Sequence, residues 1–131
     1  MVPGASAPAG INTIKSLKIA NFTGKILATD SDPLSAGFHM ADDFCIMPLA
    51  KDETKFIDKL FQNIRKYSVD LLMPSSGHDI YVYSKYRTEL ENLGALAIVS
   101  DPGSLEVCRD KLKTYNFLKT DFDLPFTTID S

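Results

Sequence analysis

A chain of 131 residues, 44% apolar and 24% charged, has the size and composition of a globular domain with a buried core. Its net charge of −3, with Lys and Arg scattered along the chain, excludes the basic footprint of a nucleic-acid binder. There is no apolar run of membrane-spanning length, no signal-peptide pattern, and no CxxC or Cys/His cluster around Cys45 and Cys108, so a structural metal is not expected and both thiols are expected to be buried and reduced, as in a cytoplasmic protein.

The chain opens on Met1-Val2-Pro3, a short β-like start, and then Gly4-Ala5-Ser6-Ala7-Pro8-Ala9-Gly10. Small residues let a backbone approach a ligand closely. The first N–H groups of a following helix have no partner inside it and attract anions or strong acceptors. The same residues equally suit a tight strand-to-helix turn with no ligand. Ser6 and Ala9 stand where a GxGxxG motif has glycines, so the dinucleotide signature is degraded. Ile11, Ile14 and Leu17 predict a helix from Ile11 to about Phe22, with Gly24 as its C-cap. Residues 25–30 read as a buried parallel strand, Asp30-Ser31-Asp32-Pro33 as a turn, Ser35 to Met40 as a short helix, and Phe44 to Met47 as a strand stopped by Pro48.

Asp52 caps the clearest helix. Phe56, Ile57, Leu60, Phe61 and Ile64 share one face, with Lys55, Asp58, Lys59, Asn63 and Arg65 turned away. A strand at Val69 to Met73 closes at Pro74, and Ser75-Ser76-Gly77-His78-Asp79 forms a polar loop. A helix is predicted from Ile80 to Leu93 with Gly94 as its stop, then a strand from Ala95 to Val99. Asp101-Pro102 starts another helix, Leu112 to Lys119 is helical, and Leu124 to Thr128 reads as extended.

Short apolar strands alternating with helices predict an α/β fold, a Rossmann-like open parallel sheet with helices on both faces. The expected strand order is 3-2-1-4-5, with the switch point between the first and fourth strands. Ligands in such sheets bind beyond the carboxyl ends of the strands, which puts residues 4–10 beside 75–79, with Asp30 flanking. The first strand is short for a central one, and Phe126-Thr127-Thr128 looks like the beginning of a further element. Both ends are therefore expected to be cut from a longer polypeptide.

Taken together, the glycine loop, Leu27 to Pro33, Val69 to Pro74, His78-Asp79 with its helix, and Val107 to Lys119 resemble the N-terminal domain of ATP-grasp ligases. Within that group they are similar to the large subunit of carbamoyl-phosphate synthase. The resemblance implies a pre-ATP-grasp domain over residues 1–109 and, over 110–131, a helix and linker into an ATP-grasp domain absent here. It implies an acylphosphate mechanism in the parent enzyme, with ATP and Mg2+ held by later subdomains, a small carboxylate or bicarbonate and an amine as substrates, and no cofactor tightly bound to this fragment. The fragment alone is then inactive. In the family the lysine of the Asp-Lys pair reaches the ATP phosphates, so the resemblance makes Lys111 the cofactor-binding candidate.

On the substrate side the candidates are Ser6, Ala7, Pro8, Asp30, Ser75, Ser76 and Asp79. Asp30 lies about 20 residues past Gly10, the spacing of a ribose-binding acid in dinucleotide folds, and is as readily a turn-former with Asp32. Asp79 is equally an N-cap for the helix that follows it. His78 and His39 are read as loop and incidental histidines, and no Ser/His/Asp arrangement supports a nucleophile, so no catalytic residue is assigned. Tyr81, Tyr83 and Tyr86 have helical spacing and read as packing. Competing readings are the nucleotide half of an NAD-dependent oxidoreductase or epimerase, and a non-catalytic interaction module whose sheet edge pairs with a second copy.

Overall fold

The computed structural model describes residues 1–74, 77 and 79–123. Two compact units divide the chain, Met1–Val99 and Ser100–Ser131. The first runs β1 (Val2–Pro3), α1 (Pro8–Ile19), β2 (Leu27–Asp30), a 3-10 helix (Ala36–Met40), β3 (Asp43–Ile46), α2 (Glu53–Tyr67), β4 (Leu71–Leu72), α3 (Ile80–Lys85), α4 (Arg87–Asn92) and β5 (Leu96–Ala97). The second holds α5 (Pro102–Cys108) and α6 (Lys111–Leu118). The extended stretch predicted at 124–128 lies outside the described residues.

All strand pairing is parallel. β1, β2 and β3 form one ladder in that order, with Val2 opposite Ala28 and Ala28 opposite Phe44. β4 and β5 form a second, with Leu72 opposite Ala97. Met1 joins the two, its nitrogen donating to the Leu71 carbonyl at 2.6 Å and its carbonyl accepting from the Met73 N–H at 2.9 Å. Three neighbours of the expected order are thus laddered, while β1 and β4 belong to separate ladders among the described residues.

β2 is buried throughout and feeds both layers, its Leu27 and Ala28 supplying apolar side chains to the two. Leu27 joins a core cluster with Phe56, Ile57, Leu60 and Ile64 of α2, Tyr83 of α3 and Leu90 of α4. Ala28 joins a smaller cluster with Val2, Ile14 of α1 and Phe38 of the 3-10 helix. Each fully buried aliphatic or aromatic side chain contributes about 1.5–3 kcal/mol, so the α2 side carries most of the apolar stabilisation.

Asp52 caps α2 by accepting from the Lys55 N–H at 3.4 Å, and Ser68 ends it in the left-handed region at φ 50°. The expectation that Asn63 faces solvent is wrong. It is 2% exposed, because three residues beyond Leu60 places it on the core face. Two helix ends also differ from expectation. α1 begins at Pro8, where a fixed φ suits the first turn, and the left-handed residue after it is Asn21 at φ 54°, not Gly24. The helix expected over 80–93 breaks at Tyr86 into α3 and α4, and there Lys85 Nζ and the Tyr86 hydroxyl both bond Glu53 Oε1, at 2.6 and 2.8 Å. The thiols differ too. Cys45 is half-buried, and burial pushes its thiol up, but Cys108 is exposed because it lies at the end of α5.

In the second unit Asp101 caps α5 through the Ser104 N–H at 2.9 Å. Asp110 caps α6 through the N–H groups of Leu112 and Lys113 at 2.8 and 3.1 Å, and Thr114 Oγ1 donates back to the Val107 carbonyl at 2.8 Å. No helix among the described residues is long and apolar enough to cross a membrane.

Candidate functional site

The glycine loop is held from three sides. The Ala5 N–H donates to the Thr29 carbonyl at 3.2 Å, and the Ala5 carbonyl accepts from Gly37 at 3.1 Å. Gly4 takes φ 68°, which turns the chain back toward α1. Gly10 sits so close that a Cβ there would lie 2.2 Å from the Gly4 carbonyl oxygen. The loop is therefore a seat for the start of α1 pressed against the end of β1, and small residues are needed for that closeness.

Asp30, at the carboxyl end of β2, locks this loop. Its Oδ2 accepts from the Ser6 N–H at 2.6 Å and its Oδ1 from the Asp32 N–H at 2.9 Å, with the residue only 8% exposed. One carboxylate thus ties the loop to the turn after β2. The turn-forming role read from the sequence is present, and a cross-chain tie to Ser6 is added to it. A ribose would have to share oxygens that already accept backbone N–H groups.

Beyond the strand ends lies a cavity of about 260 Å³ lined by Gly4, Ser6 and Ala7 of the loop, Thr29 and Asp30 of β2, Met47 to Ala50 after β3, Phe56 of α2, and Asp79 and Tyr83 around α3. The glycine loop and Asp79, just before α3, therefore line one space. Asp79 occupies the N-cap position of α3 without capping it through its side chain. Burial, and then the Asp79 carboxylate, pushes the Tyr83 phenol well above its ordinary value, so it stays protonated at neutral pH. Its ring packs on Phe56 with centroids 5.6 Å apart, and Tyr86 packs on Phe61 at 6.4 Å, so these tyrosines serve packing as expected.

Of the candidates, Ser6, Ala7, Asp30 and Asp79 line the cavity. Pro8 is exposed at the first turn of α1 and does not. Ser75, Ser76 and His78 lie outside the described residues. Lys111 is exposed in the first turn of α6, behind the Asp110 cap. Sequence reasoning missed the wall made by Met47 to Ala50, although Pro48 just past a strand end was a signal for a chain turning across the sheet's rim.

The sequence family described as PylC-like, N-terminal domain, matches residues 6–98. The chain belongs to this family. The match covers the glycine loop from Ser6 onward, most of the cavity lining and β5, and it supports the pre-ATP-grasp domain that the sequence resembled. Comparison with curated protein sequences finds no match. Among solved structures the fold is similar to the biotin carboxylase domain of a single-chain bacterial carboxylase, at TM-score 0.58 and 13% identity over 84% of this chain. It is also similar to the biotin carboxylase subunit of pyruvate carboxylase, at TM-score 0.59 and 15% identity over 84% of this chain. At such identity these two show the shared fold. The chain spans 26% and 24% of their lengths, about a quarter of each.

Proposed function

We propose that this chain is the substrate-side domain of an ATP-grasp carboxylate-amine ligase, similar to the carbamoyl-phosphate synthase large subunit and cytoplasmic, in which an acylphosphate made from a small carboxylate or bicarbonate is displaced by an amine. The observation that carries the reading is the cavity, where the glycine loop, the end of β2 and Asp79 converge beyond the strand ends. Its described lining includes two carboxylates, Asp30 and Asp79, and no Lys, Arg or His. That environment suits a ligand rich in hydrogen-bond donors, the amine partner, and disfavours a polyphosphate.

An acidic cavity repels phosphate, and no group of three or more His, Cys, Asp or Glu among the described residues could hold a metal ion. The cavity does not fit the nucleotide. Activation of the carboxylate then belongs to ATP-grasp domains outside this chain, and Lys111 is the candidate to supply a cation to them. This chain's part is to bind and orient: Asp30 keeps the loop closed, Asp79 and the Tyr83 phenol offer polar contacts, and Met47 and Phe56 make an apolar wall. Incubated with Mg-ATP and small amines or carboxylates, the chain alone should release no phosphate above background. Turnover by the chain alone would overturn this placement.

A further inference from the structure

Asn63 has a setting that stability does not explain. It is 2% exposed on the core face of α2, and its Nδ2 donates to Cys45 Sγ at 3.0 Å and to Met47 Sδ at 3.2 Å. Thiol and thioether sulfurs are weak acceptors, so these bonds recover little of the cost of burying an amide. A leucine would suit the surrounding apolar cluster better. Met47, itself 5% exposed, belongs to both the core and the cavity lining. Methionine has three rotatable bonds and fills irregular space without defining it. An unrestrained Met47 would therefore leave one wall of the cavity adjustable.

We propose that Asn63 is a positioning residue of the cavity, its amide holding the Met47 thioether in the wall that faces the glycine loop and tying it to the Cys45 thiol. This holds whichever ligand the cavity takes. The amide exchanges some stability for a fixed cavity width.

The test is Asn63→Leu, which keeps the branched shape and number of side-chain heavy atoms and removes the donor, followed by NMR of chain labelled at the methionine ε-methyl carbons. The expected result is that the Met47 signal moves and broadens as its thioether samples further rotamers, that Met40 and Met73 hold their positions, and that the melting temperature stays within about 5 °C or rises. An unmoved Met47 signal overturns the proposal. So does a general shift of all signals with a large fall in melting temperature, or failure to fold, since each would make Asn63 a structural support. Met47→Leu reads the same bond from its other end. The Asn63 side-chain NH2 resonance should then move, and a stationary one contradicts the tie.

Discussion

Both oxygens of Asp30 accept backbone N–H groups, one from its own turn and one from Ser6 across the cleft. Hydrogen bonds to a charged group contribute about 1.5–3 kcal/mol each. Asn at this position keeps one acceptor oxygen and turns an NH2 toward an N–H. Asp30→Asn should therefore lower stability by about 2 kcal/mol in urea unfolding, and a variant as stable as the parent would show the tie to be idle. Gly10 supports the same loop sterically. Gly10→Ala should cost about 1–3 kcal/mol because the added carbon meets fixed backbone. Gly24→Ala should cost less than about 0.5 kcal/mol, since its nearest obstacle is the ring of Phe22, 50% exposed and able to swing aside. Equal costs at the two glycines would refute the close-packing account. The sequence showed that this loop must be small but not why. The reason is Asp30 and the Gly4 carbonyl, groups brought there by the strands.

Among the helices, α6 joins a structural signal to a chemical candidate in neighbouring residues. Asp110 accepts the N–H groups of Leu112 and Lys113, so half of the Asp-Lys pair is an N-cap. Asp110→Ala should weaken α6 by about 1 kcal/mol, read as faster amide exchange along that helix. Lys111→Ala should leave exchange in α6 unchanged and, in the full-length enzyme, raise KM for ATP about tenfold, the loss expected for one charge-assisted contact. An unaltered KM would remove Lys111 from the nucleotide side. Capped starts were legible in the sequence at Asp52 and Asp101, which cap as read, while the Asp110 cap is found only in the structure. Gly94 was legible too, at φ 86° after α4. The break at Tyr86 was not, because the Tyr86 hydroxyl bonds Glu53, 33 residues earlier, and no local pattern encodes that bond.

Over the first unit as a whole, the alternation of strands and helices sufficed for the fold class and for the rim where the cavity opens. Strand lengths were less legible. Apolar Ile26, Met73, Ala95 and Ile98 flank β2, β4 and β5, yet only two to four residues of each make ladder contacts. The wall of Met47 to Ala50 and the inward Asn63 depend on how α2 settles on the sheet. At the outer strand the Asp43 carboxylate accepts the Phe44 N–H at 2.7 Å, and charge so placed blunts edge-to-edge pairing with a second copy.

In the proposed function the cavity between the glycine loop and α3 receives a donor-rich, amine-bearing group and not the nucleotide. The most direct measurement is a pair of amide NMR titrations of this chain, one with a small alkylamine and one with Mg-ATP. The account predicts saturable movement of the Ser6, Ala7, Asp79 and Tyr83 signals with the amine and none at those positions with Mg-ATP. Movement of those signals with Mg-ATP, or amine-induced changes confined to residues away from the cavity, would contradict it.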